Sequence, residues 1–284
     1  MSKEATMTNI PRIPLGAGVE AALDWMTSTF AWATRAFSTV VQAGINSLEN
    51  LLALFPPLIL VGLFAALAWK LTGRKLAIFT ALGLLFIWNI GLWSPTLATI
   101  ALVVVATAIA VALGLPLGIL AALNDTFYSI IKPILDFMQT MPAFVYLIPA
   151  IPFFGLGQTS AVFATVIFSI PPTIRLTALG IRQIDKELIE ASDAFGTTTN
   201  QKLFKVQMPL ALPTIMAGVN QTIMLALSMV VIAAMIGAGG LGSEVWRAIQ
   251  RLRPGQGFEA GVAVVIIAMI LDRMSASIAS KKQE

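Results

Sequence analysis

The sequence predicts an all-α membrane protein with about seven transmembrane helices and an amphipathic helix before the first of them. Of its 284 residues, 57% are hydrophobic and 11% are charged, whereas a soluble domain has about 25% charged residues. Apolar stretches of about 20 residues, long enough to cross a bilayer, recur along the chain. These stretches lack the alternation of apolar and polar residues that is typical of β-barrel strands. Because hydrocarbon offers no hydrogen-bonding partner, their backbone N–H and C=O groups must be paired within helices.

The chain contains no cysteine and no histidine, which excludes disulfides, thiolate or imidazole metal sites and histidine acid–base catalysis. It also lacks a G-x-x-x-x-G-K-[ST] phosphate-binding loop. We therefore predict no catalytic residue, metal or cofactor in this chain. Its net charge of +4 is explained by membrane topology without nucleic acid.

Residues 1–50 are predicted to form a tail and an amphipathic interfacial helix. Trp25 and Trp32 suit a membrane interface. We favour a surface helix that packs on the outer ends of the spans, and the alternative is a scaffold or sensor lying on lipid. The apolar residues at helical spacing are Val19, Leu23, Met26, Phe30, Ala33, Phe37, Val40, Val41 and Leu48.

Two accessory spans are expected in residues 51–94, a core domain in residues 95–276, and a cytoplasmic tail in residues 277–284. Pro171 and Pro172 are expected to interrupt the fifth span. The predicted spans are Leu51–Trp69, Leu76–Trp93, Leu97–Leu123, Pro133–Phe154, Ser160–Ile174, Thr214–Ile236 and Phe258–Met274.

The positive-inside rule places the N-terminus outside and the C-terminus in the cytoplasm. Arg247, Arg251 and Arg253 oppose this orientation, because they cluster between the sixth and seventh spans, on the outside. Twelve of the 18 lysines and arginines are then cytoplasmic: Lys70, Arg74, Lys75, Lys132, Arg175, Arg182, Lys186, Lys202, Lys205, Arg273, Lys281 and Lys282.

The polar segment 182–213 is the longest cytoplasmic loop, and its pattern predicts a helical hairpin. Gly196 is expected to end the first helix in the left-handed conformation. A second helix, about 201–207, is expected to be closed by Pro209 and Pro213. The first helix has one apolar face, which contains Ile184, Leu188, Ala191 and Phe195.

Leu203 and Phe204 are expected to lie exposed on this hairpin. Apolar residues exposed at a fixed geometry favour a docking site for a soluble partner. The alternative is a re-entrant cap that packs on its own helix bundle. The pattern alone does not separate these two interpretations.

The same segment resembles the EAA motif of the permease subunits of ATP-binding-cassette (ABC) importers. The motif positions are Glu190-Ala191-Ser192, then Gly196, then Val206-Gln207-Met208-Pro209, and the family's spacing is kept. Ser192 replaces an alanine, while Val206 and Met208 replace isoleucine and leucine. The resemblance implies that this loop couples to an ATPase, with Leu203 and Phe204 filling its groove.

Longer strings between Leu97 and Arg273, such as "LDFMQTMPAFVYLIP" and "IPPTIRLTALGIRQI", are similar to bacterial glycine betaine and proline betaine permeases. This resemblance implies a type I ABC importer fold in a bacterial cell membrane, osmoprotective solute uptake and a homodimer. It also implies a cytoplasmic ATPase subunit, which holds ATP and Mg, and an external solute-binding protein.

The glycines in "GAGGLG" match G-x-G-x-x-G, but they follow an apolar span rather than a strand, so a dinucleotide site is rejected. Gly237, Gly239 and Gly240 are instead candidates for a gate or hinge, or for a simple turn.

Other polar or irregular positions in spans are candidates for the solute pathway. Gln139 and Asn220 either line a path or join helices, and Pro142 makes the fourth span irregular. Asp136 and Asp272 are assigned to the inner span ends, in reach of water or an arginine.

Two other classes of protein are alternatives to an ABC permease subunit. An ion-coupled secondary transporter would need such carboxylates buried in the membrane. An integral-membrane enzyme would need a convergent set of nucleophile, base or metal ligands.

Overall fold

The computed structural model describes residues 14–280, and over this range it contains helices and no strand. Residues 1–13 and 281–284, which include most of the predicted N-terminal tail and part of the C-terminal tail, lie outside the described residues. The α-helices are α1 (Leu15–Thr29), α2 (Ala31–Ala53), α3 (Pro57–Thr72), α4 (Arg74–Asn89), α5 (Trp93–Leu123), α6 (Asp125–Thr140), α7 (Leu147–Phe154), α8 (Gln158–Arg182), α9 (Lys186–Ala194), α10 (Thr199–Lys202), α11 (Met208–Ala233), α12 (Gly240–Gln250) and α13 (Pro254–Ser280).

Helices α5, α8, α11 and α13 are long and apolar enough to cross a membrane. Two bent pairs, α2 with α3 and α6 with α7, raise the number of candidate spans within residues 14–280 to six. The second predicted span, Leu76–Trp93, corresponds to α4, which is not among these six candidates. Its 16 residues reach only about 24 Å, less than the roughly 30 Å hydrocarbon core of a bilayer.

The predicted amphipathic helix is two helices, which meet at Phe30. Helix α2 buries Val41 and Ile45 against the helix bundle, and Phe37 contacts Phe154 and Phe163 with ring centroids 5.2 and 5.9 Å apart. This contact with α7 and α8 agrees with a surface helix that packs on the spans.

Two of the predicted spans begin or run differently from the prediction. The first starts at Pro57 rather than Leu51, because the chain bends by 104° between α2 and α3. The fourth, Pro133–Phe154, is not one straight helix. It bends by 113° at Met141 and Pro142, and a short 3₁₀ turn, Ala143–Tyr146, precedes α7.

The proline pair does not interrupt the fifth span. Helix α8 continues for 25 residues through Pro171 and Pro172, and both prolines are buried. Neighbouring helix α11 lies against this segment, since a Cβ at Gly218 would be 3.0 Å from the Pro172 carbonyl oxygen. Each proline lacks a backbone N–H, so α8 loses a hydrogen bond at each of the two positions. Closely packed neighbouring helices compensate for this loss in membrane proteins.

The main hydrophobic core lies between α5, α8 and α11, and a second core joins α3, α4, α12 and α13. A buried polar contact crosses the α8–α11 interface. Thr222 Oγ1 donates to the Ser169 carbonyl oxygen at 2.9 Å and lies 2.7 Å from Thr173 Oγ1. These helices therefore form a rigid frame for the polar segment that connects them.

Candidate functional site

The polar segment between α8 and α11 forms a compact hairpin, which we define as residues 183–207. Helix α9 ends at a left-handed Gly196, with φ +73°. The next helix begins with a capping box, in which Gln201 N donates to Thr198 Oγ1 (3.3 Å) and Thr198 N donates to Gln201 Oε1 (2.9 Å). The turn is thus specified by its own residues, as the sequence predicted for Gly196.

Two further interactions hold the hairpin together. Ser192 is buried, and its carbonyl oxygen accepts from Thr197 N at 3.2 Å and from Thr197 Oγ1 at 2.8 Å. Lys202 Nζ contacts both carboxylate oxygens of Asp193, at 2.7 and 2.8 Å. This ion pair was not predicted from the sequence, although the opposite charges of Asp193 and Lys202 on the two sides of the predicted turn are a signal for it.

The hairpin exposes a mixed apolar and acidic surface. Phe195 is 89% exposed and Phe204 is 62% exposed, and Glu190 and Ala191 are also exposed. Large aromatic side chains held in water by a rigid turn are typical of an interface with another protein.

Leu203 does not lie on this surface, which corrects the expectation that it is exposed beside Phe204. It is only 5% exposed and packs with Ile181, Ala211 and Ile215. Met208 is half-buried against the same cluster. Leu203 therefore anchors the hairpin to the ends of α8 and α11, while its neighbour faces solvent.

The second hairpin helix is not closed by prolines, contrary to the prediction. A π-helical turn at Leu203–Gln207 leads directly into α11, so the chain is helical from Thr199 to Ile236, over 38 residues. Pro209 is exposed and occupies the first turn of α11, where its missing N–H costs least. The hairpin is thus continuous with a membrane-crossing helix.

The candidate pathway residues do not converge on one cavity. Gln139 and Pro142 are exposed at the break between α6 and α7. Asn220 instead joins two helices: its Nδ2 donates to Asp272 Oδ1 at 3.2 Å, and its Oδ1 accepts from Ser275 Oγ. Asp272 therefore has an amide partner on α11.

An ion pair joins Asp136 on α6 to Arg175 on α8. Its side chains are 53% and 36% exposed. Asp136 thus meets an arginine, as expected for a carboxylate that is not a deeply buried ion site.

The three candidate gate glycines all have positive φ, at +85°, +83° and +70° for Gly237, Gly239 and Gly240. A Cβ at Gly240 would lie 2.5 Å from Thr99 Oγ1 on α5. The same oxygen accepts from Leu241 N at 2.8 Å. The segment therefore turns the chain and fastens the start of α12 to α5.

The fold and the hairpin define a class of protein: a multi-pass helical membrane protein with an aromatic-tipped hairpin between two of its spans. Residues 114–280 match the model of the family described as "Binding-protein-dependent transport system inner membrane component". The chain belongs to this family of ABC importer permease subunits.

Relatives that match nearly the whole chain agree with this assignment. The chain is 51% identical to the glycine betaine transport system permease protein OpuAB of Bacillus subtilis, over 98% of both proteins. It is 49% identical to the glycine betaine/carnitine transport permease protein GbuB of Listeria monocytogenes, over 95% of this chain and 96% of that protein. It is 47% identical to the glycine betaine/proline betaine transport system permease protein ProW of Escherichia coli, over 94% and 75%.

A solved structure shares the fold. The inward-facing MetNI methionine ABC transporter matches with a TM-score of 0.61 and 23% identity, over 66% of this chain and 94% of that chain. This match confirms the predicted type I importer fold of the transmembrane subunit.

Family membership also favours the importer subunit over the ion-coupled carrier. In this family ATP hydrolysis belongs to a separate ATPase, so this chain is not itself an enzyme.

Proposed function

We propose that the chain is the permease subunit of an ATP-driven importer for glycine betaine, proline betaine and related compatible solutes. The names of OpuAB, GbuB and ProW, which match over most of their length, support this substrate class. These solutes carry a quaternary ammonium group that aromatic cages recognise. The external binding protein supplies that recognition, and this chain supplies the passage.

The ATPase subunit docks on the hairpin 183–207. The observation that carries this proposal is the pair of exposed aromatic residues, Phe195 and Phe204, held in place by Gly196 and by the Asp193–Lys202 ion pair. Glu190 and Ala191 lie exposed on the same hairpin. ATP and Mg belong to the partner subunit, because this sequence has no phosphate-binding loop.

The hairpin faces the cytoplasm of a bacterial cell, at the inner membrane. Counting α4 as a short seventh span, which a locally thinner bilayer accommodates, places the N-terminus outside and the C-terminus inside. Two features support this orientation. The ATPase and its nucleotide are cytoplasmic, and the connection between α3 and α4 carries Lys70, Arg74 and Lys75, as cytoplasmic loops do.

Two copies of the chain form the pathway between them. Gln139 and Pro142 lie on the surface of a single copy rather than inside a channel. A second copy facing them would complete a path lined by this polar amide and by the broken helix. An irregular backbone is tolerated at membrane depth where it lines such a cavity.

ATP hydrolysis is coupled to movement of the spans because the hairpin is continuous with them. Leu203 ties the hairpin to the cluster of Ile181, Ala211 and Ile215, at the inner ends of α8 and α11. When the ATPases close on ATP, the hairpins move with them and the spans turn the cavity outward. Nucleotide release after hydrolysis returns the cavity inward.

The test replaces Glu190 and Phe204 together, as Glu190→Ala with Phe204→Ala. We expect loss of ATPase co-purification and of ATP-dependent glycine betaine uptake into vesicles that hold ATP inside. The matched control is Phe86→Ala on α4, which removes another exposed phenylalanine (41% exposed) far along the chain from the hairpin. Unchanged attachment and uptake in the double variant would overturn the docking site.

The same vesicles test the transport class and the solute. Uptake by the chain without any ATPase would support the ion-coupled carrier instead. Stimulation of the assembled ATPase by a panel of glycine betaine, proline betaine, choline, carnitine and proline identifies the solute. Stimulation by none of them would overturn the proposed substrate class.

A further inference from the structure

Arg182, the last residue of α8, joins the inner ends of three helices. Its Nε and Nη2 donate to the Ala121 carbonyl oxygen at the end of α5, at 3.2 and 2.7 Å. Its Nη2 also lies 2.8 Å from Asp125 Oδ1 at the start of α6. The guanidinium carbon lies 4.3 Å from the centre of the Tyr128 ring, one turn further along α6. One side chain therefore fastens the end of α5 and the start of α6 to the end of α8.

These contacts require the shape of a guanidinium as well as its charge. The planar group carries five N–H donors and stacks on aromatic faces, so it reaches a carbonyl, a carboxylate and a ring together. Ala121 is fully buried, and its carbonyl lies in the last turn of α5, where helix carbonyls lack partners within the helix. A positive charge there also interacts favourably with the negative end of the helix.

Helix α6 is otherwise held loosely to the frame of α5, α8 and α11. Among the residues of α6, only Leu135 is buried. A cavity of about 220 Å³ lies between α6 and α8, and its walls include Leu135 and Ile174. By contrast, α5 and α8 leave no room between them, since a Cβ at Gly114 would be 2.8 Å from Thr173 Cγ2. Apolar packing thus defines the frame but not the position of α6.

Two ion pairs connect α6 to α8 on either side of that cavity. They are Asp125 with Arg182 and Asp136 with Arg175. The two arginines lie about two turns apart on one face of α8. Arg182 is the member next to the hairpin, which begins at the following residue.

Both ends of α6 are breaks on which the helix can pivot. At its start, Asn124 alone separates it from α5 and has an extended backbone, with φ −131° and ψ 110°. At its end, the chain bends by 113° before α7. A few residues at the ends of elements are enough to form a hinge, because they absorb the change in φ and ψ. The contacts of Arg182 therefore fix the tilt of α6 on the Asn124 joint.

The tilt of α6 decides where the candidate pathway residues lie. Gln139 lies about 22 Å of helix beyond the Asn124 joint. A change in tilt of about 10° would move Gln139 by about 4 Å, whereas Ser129, about 8 Å from the joint, would move by about 1 Å. A small movement at Arg182 is thus amplified at the pathway end of α6.

We infer that Arg182 is a positioning residue of transport, which fixes α6 to the end of α8 and so passes movement of the hairpin to the pathway. The inference rests on the proposed function, since it names how the docked ATPase acts on α6. Leu203 has a different role. It anchors the hairpin in a cluster that contains no residue of α6.

Arg182→Lys keeps the charge but cannot hold all three partners at once, because an ammonium is a point charge without a planar fork. The complex with its ATPase is reconstituted in vesicles and supplied with binding protein. We expect glycine betaine uptake per ATP hydrolysed to fall by about fivefold, with little change in ATPase co-purification or melting temperature. The control is Arg247→Lys, whose ion pair with Glu244 lies within one helix.

Asp125→Asn is a second variant with little risk of unfolding, because the Asp125 side chain is 92% exposed. It removes the ion pair and leaves the hydrogen bonds from Arg182 to Ala121. We expect lower uptake per ATP here too, and no further loss when it is combined with Arg182→Lys, because both act through one contact. Asp24→Asn, at an exposed carboxylate on α1, is the control. Additive losses would contradict the shared contact.

The native chain has no cysteine, so single cysteines report the tilt of α6. Gln139→Cys lies far from the Asn124 joint and Ser129→Cys lies close to it, and both positions are exposed. Modification by a water-soluble maleimide is timed without nucleotide and with ATP plus vanadate. We expect the rate to differ between these states at position 139 and to change little at position 129. In the Arg182→Lys background, we expect the difference at position 139 to be lost.

Two results would overturn the inference. An unchanged ratio of uptake to ATP hydrolysed in Arg182→Lys would show that Arg182 only stabilises the fold, whatever happens to each rate. A nucleotide-dependent difference at Gln139→Cys that persists with Arg182→Lys would show that α6 follows the hairpin through other contacts. Failure of the proposed function is distinguishable from both, since the native complex itself would then show no ATP-dependent uptake.

Discussion

Gly118 on α5 lies directly against Thr177 on α8: a Cβ added to the glycine would be 2.5 Å from the threonine Cβ and 2.9 Å from the Ile174 carbonyl oxygen. No real side chain fits at that distance. Two long core spans therefore approach each other closely enough that only a hydrogen fits between them. Small residues at such contacts allow membrane helices to associate through van der Waals contact.

Gly118→Ala is therefore expected to destabilise the protein by about 1–3 kcal/mol through overpacking. Thermal unfolding in detergent measures the effect. The matched control is Gly62→Ala on α3, where nothing lies within 4 Å of the added Cβ and a small gain in stability is expected. Equal melting temperatures for the two variants would contradict the close α5–α8 contact.

Leu203 and Phe204 are neighbours with opposite expected roles. Leu203→Ala should destabilise the hairpin by about 2–4 kcal/mol, because it removes a buried side chain from the cluster at the inner ends of α8 and α11. Phe204→Ala should leave stability nearly unchanged and weaken ATPase binding. Proteolysis of the hairpin and co-purification with the ATPase separate the two effects. A stable Leu203→Ala hairpin would argue against its anchoring role.

Asp193 and Lys202 are expected to matter for coupling more than for stability. Their side chains are 51% and 21% exposed, so breaking the pair should cost only about 0–1 kcal/mol. Asp193→Lys should lower transport per ATP hydrolysed, because the hairpin is less rigid. Exchanging the charges, as Asp193→Lys with Lys202→Asp, should restore it. No recovery in the exchanged variant would show that the pair does not act through attraction.

Asn220 is predicted to hold α11 to α13 rather than to touch the solute. Asn220→Leu should lower stability by about 1–3 kcal/mol, since Asp272 and Ser275 lose a hydrogen-bonding partner. Ser228→Ala, whose hydroxyl donates only within its own helix, is the control. An altered apparent KM for uptake with unchanged melting temperature would place Asn220 in the solute pathway instead.

Much of this protein could be predicted from its local pattern. The third, sixth and seventh spans lie where the apolar runs predicted them. The left-handed Gly196 follows from a glycine after an amphipathic run. These features depend on short-range rules, which are helix length in a bilayer and backbone conformation, so the residues concerned carry the information themselves.

Other features depended on neighbours that are distant in sequence. Pro171, Pro172, Pro209 and Pro213 all predict a break, yet the helices continue through them. Surrounding helices stabilise α8, and the π-turn at Leu203–Gln207 leads the hairpin straight into α11. The pattern of a single segment does not contain these contacts.

The sequence by itself determined that the chain lies in a lipid bilayer, that its fold is all-α and where the polar hairpin lies. These features depend on hydrophobicity and turn residues, which act locally. Only the tertiary structure decided that Leu203 faces inward and Phe204 outward, that Asn220 meets Asp272, and that Arg182 joins α5 and α6 to α8. Two adjacent apolar residues are equivalent in a pattern. They differ once the ends of α8 and α11 cover one of them and leave the other in water.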